Sequence, residues 1–362
     1  MTVESSSTRL EALDWIRGIA SMWVVLYHVD LTLQKAKYFG LPPLSPVTAV
    51  GYRGVELFFV LSGFIMARSY ARGAAAGWHD AIDFAIRRIF RIFPLYLIVS
   101  IPLFVVAASA GIGRPPADVA LDASLFFKNL FLLPRDDLST FIPVSAWTLS
   151  HELMFYAVFL IWFFAPRLFI AALTLWAGLS LVLTLLDVRP AGWQMQTNAL
   201  NAYFLAGAAC SMLGRLGRPR HLWVLGLAAA MLLSAAISLE AASRAAGIAA
   251  HACYAAAFCL IVYCLSFGTP SLPRFIEAPM RYLGRISYGI YLVNYPLVVV
   301  IALVCIKAGL HAYAVPLVML GAIGATILVS DLLHRFVERP GIALGRRVFR
   351  KPLSVARQEV IR

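Results

Sequence analysis

Hydrophobic positions in this chain come as long unbroken blocks separated by short polar connections. Ten such blocks run roughly over 12–31, 54–70, 93–111, 145–164, 167–186, 197–214, 222–240, 246–267, 286–306 and 313–336. Wound as α-helices, runs of about 17–24 residues match the hydrocarbon core of a bilayer, and their continuity excludes the alternating strands of a β-barrel. The pattern predicts an all-α, polytopic membrane protein with about ten transmembrane helices, forming one membrane domain over 1–362 with no appended soluble domain. The polar start "MTVESSSTRLEALDW" lacks the shape of a cleaved signal, so the first block is read as a span. One connection on the outer side is long, 112–144. Its stretch "LDASLFFKNLFLLP" is too short to cross and predicts a re-entrant or interface-lying helix.

Composition sharpens this reading. The chain is 61% hydrophobic and only 14% charged, far from the balance of a soluble domain. Of its 31 Lys and Arg residues, 21 fall on the side that holds both termini and nine on the other. The positive-inside bias therefore predicts cytoplasmic termini. The net charge of +13 is accounted for by topology and attraction to anionic lipid, not by nucleic acid. The five cysteines all lie within apolar blocks at spacings that suit no metal site, and read as small core residues.

Against this apolar background a few ionisable residues stand out, because a charge inside a span is costly and marks a pathway or a site. Arg17 and His28 share the first block, eleven residues apart. At 100° per residue they lie on one helix face, about 16 Å apart along the axis. Glu56 opens the second block, Arg87, Arg88 and Arg91 approach the third, and His151 and Glu152 sit early in the fourth. The ninth carries Tyr288, Tyr291 and Asn294. With the predicted topology, His28, Glu56 and Glu152 are expected at one depth in the outer half, and Arg17, Arg87, Arg88 and Arg91 in the inner half. One helix stripe then links an anion-binding end to an acid–base end. Taken singly, each has a plainer reading: Arg17 snorkelling to the interface, the arginines of the third block anchoring topology, His28 capping an interface.

The segments that carry these residues resemble the acyltransferase-3 family of membrane-bound acyltransferases. "LEALDWIRGIASMWVVLYHV" is similar to its opening Arg–His motif, and "GVELFFVLSGFIMA", "RRIFRIFPLYLI", "WTLSHELMFY", "GRISYGIYLVNYPL" and "HRFVERPGIALGRR" follow in the family's order. The resemblance covers nearly the whole chain. It implies ten membrane helices and transfer of an acetyl or other acyl group from acyl-CoA to an extracytoplasmic or lipid-linked glycan, such as an exopolysaccharide or a lipopolysaccharide O-antigen, in the inner membrane. One departure is clear: "NYP" at 294–296 stands where the family usually reads His-Tyr-Pro. An amide does not transfer protons at neutral pH, so Asn294 is limited to hydrogen bonding.

On this reading His28 is the general base, with Glu56 or Glu152 holding its other nitrogen and His151 in reserve. Arg17, Arg87, Arg88 and Arg91 bind the phosphates of acyl-CoA, a co-substrate and not a tightly bound cofactor. Trp147, Tyr156, Tyr291 and Asn294 are the expected substrate contacts, with Trp193, Gln194, Gln196, Asn198 and Asn201 as further sugar contacts at the outer face. The expected partners are acyl-CoA, a saccharide acceptor and membrane lipid; oligomeric state is not legible. Two other classes stay open at this stage: a transporter or flippase for a glycan or anion, and an inactive glycan-binding protein.

Overall fold

The computed structural model describes residues 4–70, 77–111, 116, 119–214, 219–242, 247–267 and 272–348. Among these, every ordered element is helical. Each of the ten apolar blocks falls on a helix, and six helical stretches are long and apolar enough to cross a bilayer: Trp78–Ala110, Val144–Phe163, Pro166–Leu185, Leu222–Ala242, Arg274–Lys307 and Ala314–Val348. The chain is a helical membrane protein. The expected outer connection 112–144 is described except for 112–115 and 117–118, and the basic tail 349–362 lies outside the described residues.

Helix α1 (Glu4–Gln34) carries the first block, and a short α2 (Pro46–Ala49) leads into α3 (Gly54–Tyr70). Asp30, fully buried, accepts from Gln34 Nε2 (2.9 Å), Leu44 N (3.0 Å) and Thr48 Oγ1 (2.6 Å), which ties this connection to α1. Helix α4 (Trp78–Ala110) has 33 residues and stops at Gly111, whose φ of 68° supplies the left-handed turn. At about 50 Å it is longer than a bilayer core is thick, so its amphipathic first turns continue beyond the apolar stretch.

The long connection contains α5 (Ala123–Leu130), capped by the Asp122 carboxylate, which accepts from Leu125 N at 2.7 Å. Eight residues rise only about 12 Å, too little to enter and leave a membrane. The helix instead buries Leu125 and Asn129 and exposes Phe127, the arrangement of a helix lying along a surface. Asn129 Oδ1 accepts from Ile142 N (2.9 Å), and Tyr96 Oη donates to Asn129 O (2.6 Å), fastening α5 to α4. Arg135 stacks on Phe141 at 3.8 Å, and burial pushes its guanidinium down to about 10.

Next come α6 (Trp147–Phe159), α7 (Pro166–Leu185), α8 (Asn201–Leu213), α9 (Leu222–Ala242), α10 (Gly247–Leu265), α11 (Arg274–Lys307), α12 (Ala314–Leu333) and, after a π-helical turn at His334–Glu338, α13 (Arg339–Val348). The chain reaches α6 through an irregular segment whose residues Thr140, Phe141, Ile142, Ser145 and Ala146 are buried. Helix α6 therefore starts well inside the protein. Non-helical backbone at that depth is sustainable only because protein encloses it.

Two close crossings hold the centre together. Helix α1 packs along α11, where a Cβ on Gly284 would overlap the Asp14 carbonyl oxygen and one on Gly18 would come within 2.8 Å of Gly284 N. Helix α3 packs on α8 in the same way, with Gly63 against the Phe204 backbone and Gly207 against that of Val60. Where hydrophobicity cannot drive helices together, such small residues let backbones approach and collect dispersion contacts. Around the second crossing, stacked Phe59, Phe204 and Phe155 (centroids 4.6 and 4.3 Å) fill the space between α3, α6 and α8.

Candidate active site

The α1–α11 crossing places His28 beside the "NYP" segment. His28 Nδ1 hydrogen-bonds the side-chain oxygen of Asn294. The orientation of that amide is fixed, because its Nδ2 donates to Ile290 O (2.9 Å) and Tyr291 O (2.7 Å). Its oxygen is thereby turned toward the imidazole, so Nδ1 must be the protonated nitrogen and Nε2 the lone-pair nitrogen. A base that points one known lone pair outward is what general-base chemistry requires.

The proline of the same motif completes the arrangement. Pro296 has no N–H and leaves the Leu292 carbonyl without its helical donor. Ser145 Oγ donates to that carbonyl at 3.3 Å, and Tyr291 Oη donates to Ser145 O at 3.2 Å. The broken turn of α11 thus docks the Val144–Ala146 segment and sets where α6 begins.

His28 opens onto a cavity of about 790 Å³, called outer after the topology expected from the sequence, lined also by Tyr27, Lys35, Trp147, Tyr291 and Tyr295. Tyr27 and Tyr295 flank the imidazole at centroid distances of 5.3 and 4.9 Å. Gln194 and Asn198 line this cavity as expected of sugar contacts. Trp193 is exposed outside it, Gln196 uses its backbone carbonyl for Trp176 (2.6 Å), and Asn201 is committed to His151 (3.0 Å).

A second, smaller cavity of about 100 Å³ is called inner on the same basis. Arg17, Arg88, Arg91, Ser62, Glu152 and Tyr156 contribute to its wall. Arg88 stacks over Tyr156 (5.2 Å) and Phe84 (5.4 Å) and donates to Met66 Sδ at 3.1 Å. Arg17 Nε is buried without a hydrogen-bond partner among the described residues. Glu152 takes the Tyr156 hydroxyl and a 3.4 Å bond from Ser62 Oγ. Three guanidiniums and one carboxylate line this space, with the carboxylates of Asp14 and Glu338 also acting on Arg17; guanidiniums gathered in a confined space are the setting for a multiply charged anion. Among the described residues only Val55 and Tyr291 line both cavities, and they mark the partition between them.

Several placements differ from the sequence-based expectation. Glu152 lies with the arginines and not with His28, because α6 begins deep. Tyr156, one turn further on, lines the inner cavity and not the acceptor side. Glu56 lines the same cavity as His28 but is ion-paired with Arg53, three residues earlier, and not with His28. Arg53 also binds Glu240 (2.7 Å), and His251 Nδ1 stands 3.6 Å from Glu56. Asn294 is fully buried behind His28 and positions it without lining either cavity. Arg87 lies outside both cavities, half-exposed and paired with Asp83 at 2.9 Å. His151 is buried against Asn201, Phe59 and Trp147, away from both cavities.

Sequence reasoning missed Arg53, Glu240 and His251. The signal for Arg53 was present: "RGVE" puts an Arg and a Glu at i and i+3 where an apolar helix begins.

The protein is thus a helical membrane protein with an arginine-lined cavity set against a histidine-bearing one. The chain belongs to the acyltransferase-3 family, whose acyltransferase domain matches residues 10–335, and it is a membrane-bound O-acyltransferase. It is 26% identical to "Putative membrane-bound transacylase BcsY" of Komagataeibacter xylinus over 94% of this chain and 84% of that protein. It is 28% identical to "Exopolysaccharide production protein ExoZ" of Rhizobium meliloti (strain 1021) over 82% of this chain and 91% of that one. "Putative peptidoglycan O-acetyltransferase YrhL" of Bacillus subtilis (strain 168) is 24% identical over 96% of this chain and 57% of its own length. No solved structure matches the chain.

Proposed function

We propose that the protein transfers an acyl group, acetyl in the first instance, from cytoplasmic acyl-CoA to a hydroxyl of an extracytoplasmic or lipid-linked glycan. In this reading the chain crosses the inner membrane ten times with both termini in the cytoplasm. The 21-to-9 asymmetry of Lys and Arg supports that orientation. The names of the exopolysaccharide and peptidoglycan relatives support a polysaccharide acceptor.

The observation that carries the proposal is the sharing of Val55 and Tyr291 by two cavities of opposite chemistry. Arg91, Arg88 and Arg17 take phosphates of the donor from the cytoplasmic side. The acyl arm then rises along the Arg17–His28 face of α1, about 16 Å, past the partition. His28 Nε2 accepts the proton of the acceptor hydroxyl as its oxygen attacks the thioester carbonyl. The C–S bond breaks, and the proton passes to the departing thiolate, giving the O-acyl glycan and CoA. Tyr27, Tyr295 and Trp147 supply the aromatic faces on which sugars stack.

The test is release of CoA thiol from acetyl-CoA by purified protein in lipid nanodiscs, with and without isolated surface glycan. We expect release that depends on glycan, is matched by acetyl incorporated into it, and is lost in His28→Ala. Full turnover in His28→Ala would remove the base from the mechanism, and no turnover with any acyl-CoA would overturn the proposal.

A further inference from the structure

The cations that line the outer cavity are not equivalent. Arg53 is neutralised by Glu56 and Glu240, and Arg189 by Asp187 at 3.3 Å. Lys35 also lines the cavity, but among the described residues it makes no ion pair. Its Nζ donates to Tyr295 Oη (3.1 Å) and stands 5.4 Å from that ring's centre. Lys35 is the first residue past the end of α1 (Glu4–Gln34), seven positions after His28, and it reaches the His28 side of the cavity through its contact with Tyr295. A continuous run of rings, Tyr52–Tyr27–His28–Tyr295, ends on its ammonium; the Tyr52–Tyr27 and Tyr295–His28 centroids are 5.3 and 4.9 Å apart.

A sugar stacked on these rings with a hydroxyl at His28 Nε2 brings its neighbouring substituents to Lys35. A half-buried ammonium held only by a neutral phenol retains most of its capacity for an anion. Resting on the transfer reading above, we propose that the acceptor is an acidic saccharide, with a carboxylate or phosphate close to the acylated hydroxyl that Lys35 recognises. Lys35 is then the residue that sets acceptor specificity. The anion has two chemical sources: an acidic group on the sugar, or the diphosphate that joins a saccharide to a lipid carrier.

The test separates binding from turnover. Equilibrium dialysis of the full chain in nanodiscs is run with radiolabelled methyl glucuronoside, methyl glucoside and a polyprenyl diphosphate glucose. One charge-assisted contact predicts about tenfold or tighter binding of an anionic probe over methyl glucoside. Lys35→Met should bring that ratio to about one, and Lys35→Glu should turn the preference toward methyl glucoside. A gain for the diphosphate probe alone places the anion in the carrier linkage; a gain for the uronoside places it on the sugar. Equal affinity of the unmodified protein for all three probes would overturn the inference, whether or not the variants fold. Charge-selective binding that is lost in Lys35→Met but comes without acetyl transfer would instead overturn the transfer reading, and with it the acceptor role, leaving only an anion-selective saccharide site at Lys35.

Discussion

His28 donates its Nδ1 proton to Asn294, and Asn294 is held in place by two main-chain carbonyls of its own helix. A neutral amide thereby does the orienting work that a carboxylate does in many catalytic dyads. It fixes the tautomer without adding a charge that would hold the proton after transfer.

This arrangement makes Asn294 a positioning residue with a kinetic signature. Asn294→Leu keeps the volume and removes the acceptor, so the imidazole can take either tautomer. We expect kcat to fall by about a hundredfold, with donor and acceptor KM within about twofold. Asn294→Asp, which restores the acceptor, should recover most of the rate. Equal loss in both variants would show that the side chain matters only for packing.

Arg91 and Arg87 sit one helical turn apart with different surroundings. Arg91 lines the inner cavity, whereas Arg87 is half-exposed beside Asp83. Arg91→Ala should raise the KM for acyl-CoA about tenfold or more, the loss of one charge-assisted contact. Arg87→Ala should leave it within about twofold. Steady-state kinetics with varied donor decides this, and equal effects would return both arginines to a topological role.

Glu152 is the carboxylate facing those arginines, and a carboxylate opposes a polyanionic donor. Removing its charge in Glu152→Gln should lower the KM for acyl-CoA, and the inhibition constant of CoA, by about fivefold, corresponding to roughly 1 kcal/mol. A change confined to acceptor KM would place Glu152 on the other side of the partition. His151→Ala should act on stability instead, because it strands the buried Asn201 oxygen at a cost of about 1–3 kcal/mol. A lowered unfolding temperature with donor KM unchanged is the expected result.

The crossing at Gly284 offers a check on the scaffold. Gly284→Val would drive a branched side chain into the Asp14 carbonyl, and α1 would have to move off α11. Overpacking of this kind costs about 1–3 kcal/mol or more. Thermal unfolding in detergent should show the loss, and activity should fall with it because His28 and Asn294 lie on opposite sides of that contact.

The helices were legible because bilayer thickness sets a length that no soluble fold imposes, and the facing of Arg17 and His28 followed from helical period alone. The inner arginines were legible in part: Arg88 and Arg91 reached the cavity, while Arg87, one turn earlier, stayed outside. Depth failed at Glu152. Counting residues from an assumed membrane surface takes α6 to start there, but the buried segment before Trp147 carries the chain inward before any helix begins. Glu56 was assigned to a histidine because Arg53 fell just outside the apolar block and was counted as loop. Arg53's second partner, Glu240, and the His251 beside Glu56 come from helices 180 and more residues away, and no local pattern announces such a meeting.

The partition of Val55 and Tyr291 has an electrical consequence. A membrane that stores energy as a proton gradient cannot hold an open water column, since each unit charge crossing 100 mV dissipates about 2.3 kcal/mol. An enzyme that draws its donor from one face and its acceptor from the other must pass a thioester without passing ions. On the proposed reading, Val55 and Tyr291, the latter held by the Ser145 carbonyl, are the residues placed to insulate one cavity from the other. Proteoliposomes holding Tyr291→Ala should collapse an imposed pH gradient faster than those holding the unmodified protein. A gradient equally durable in both would place the seal elsewhere.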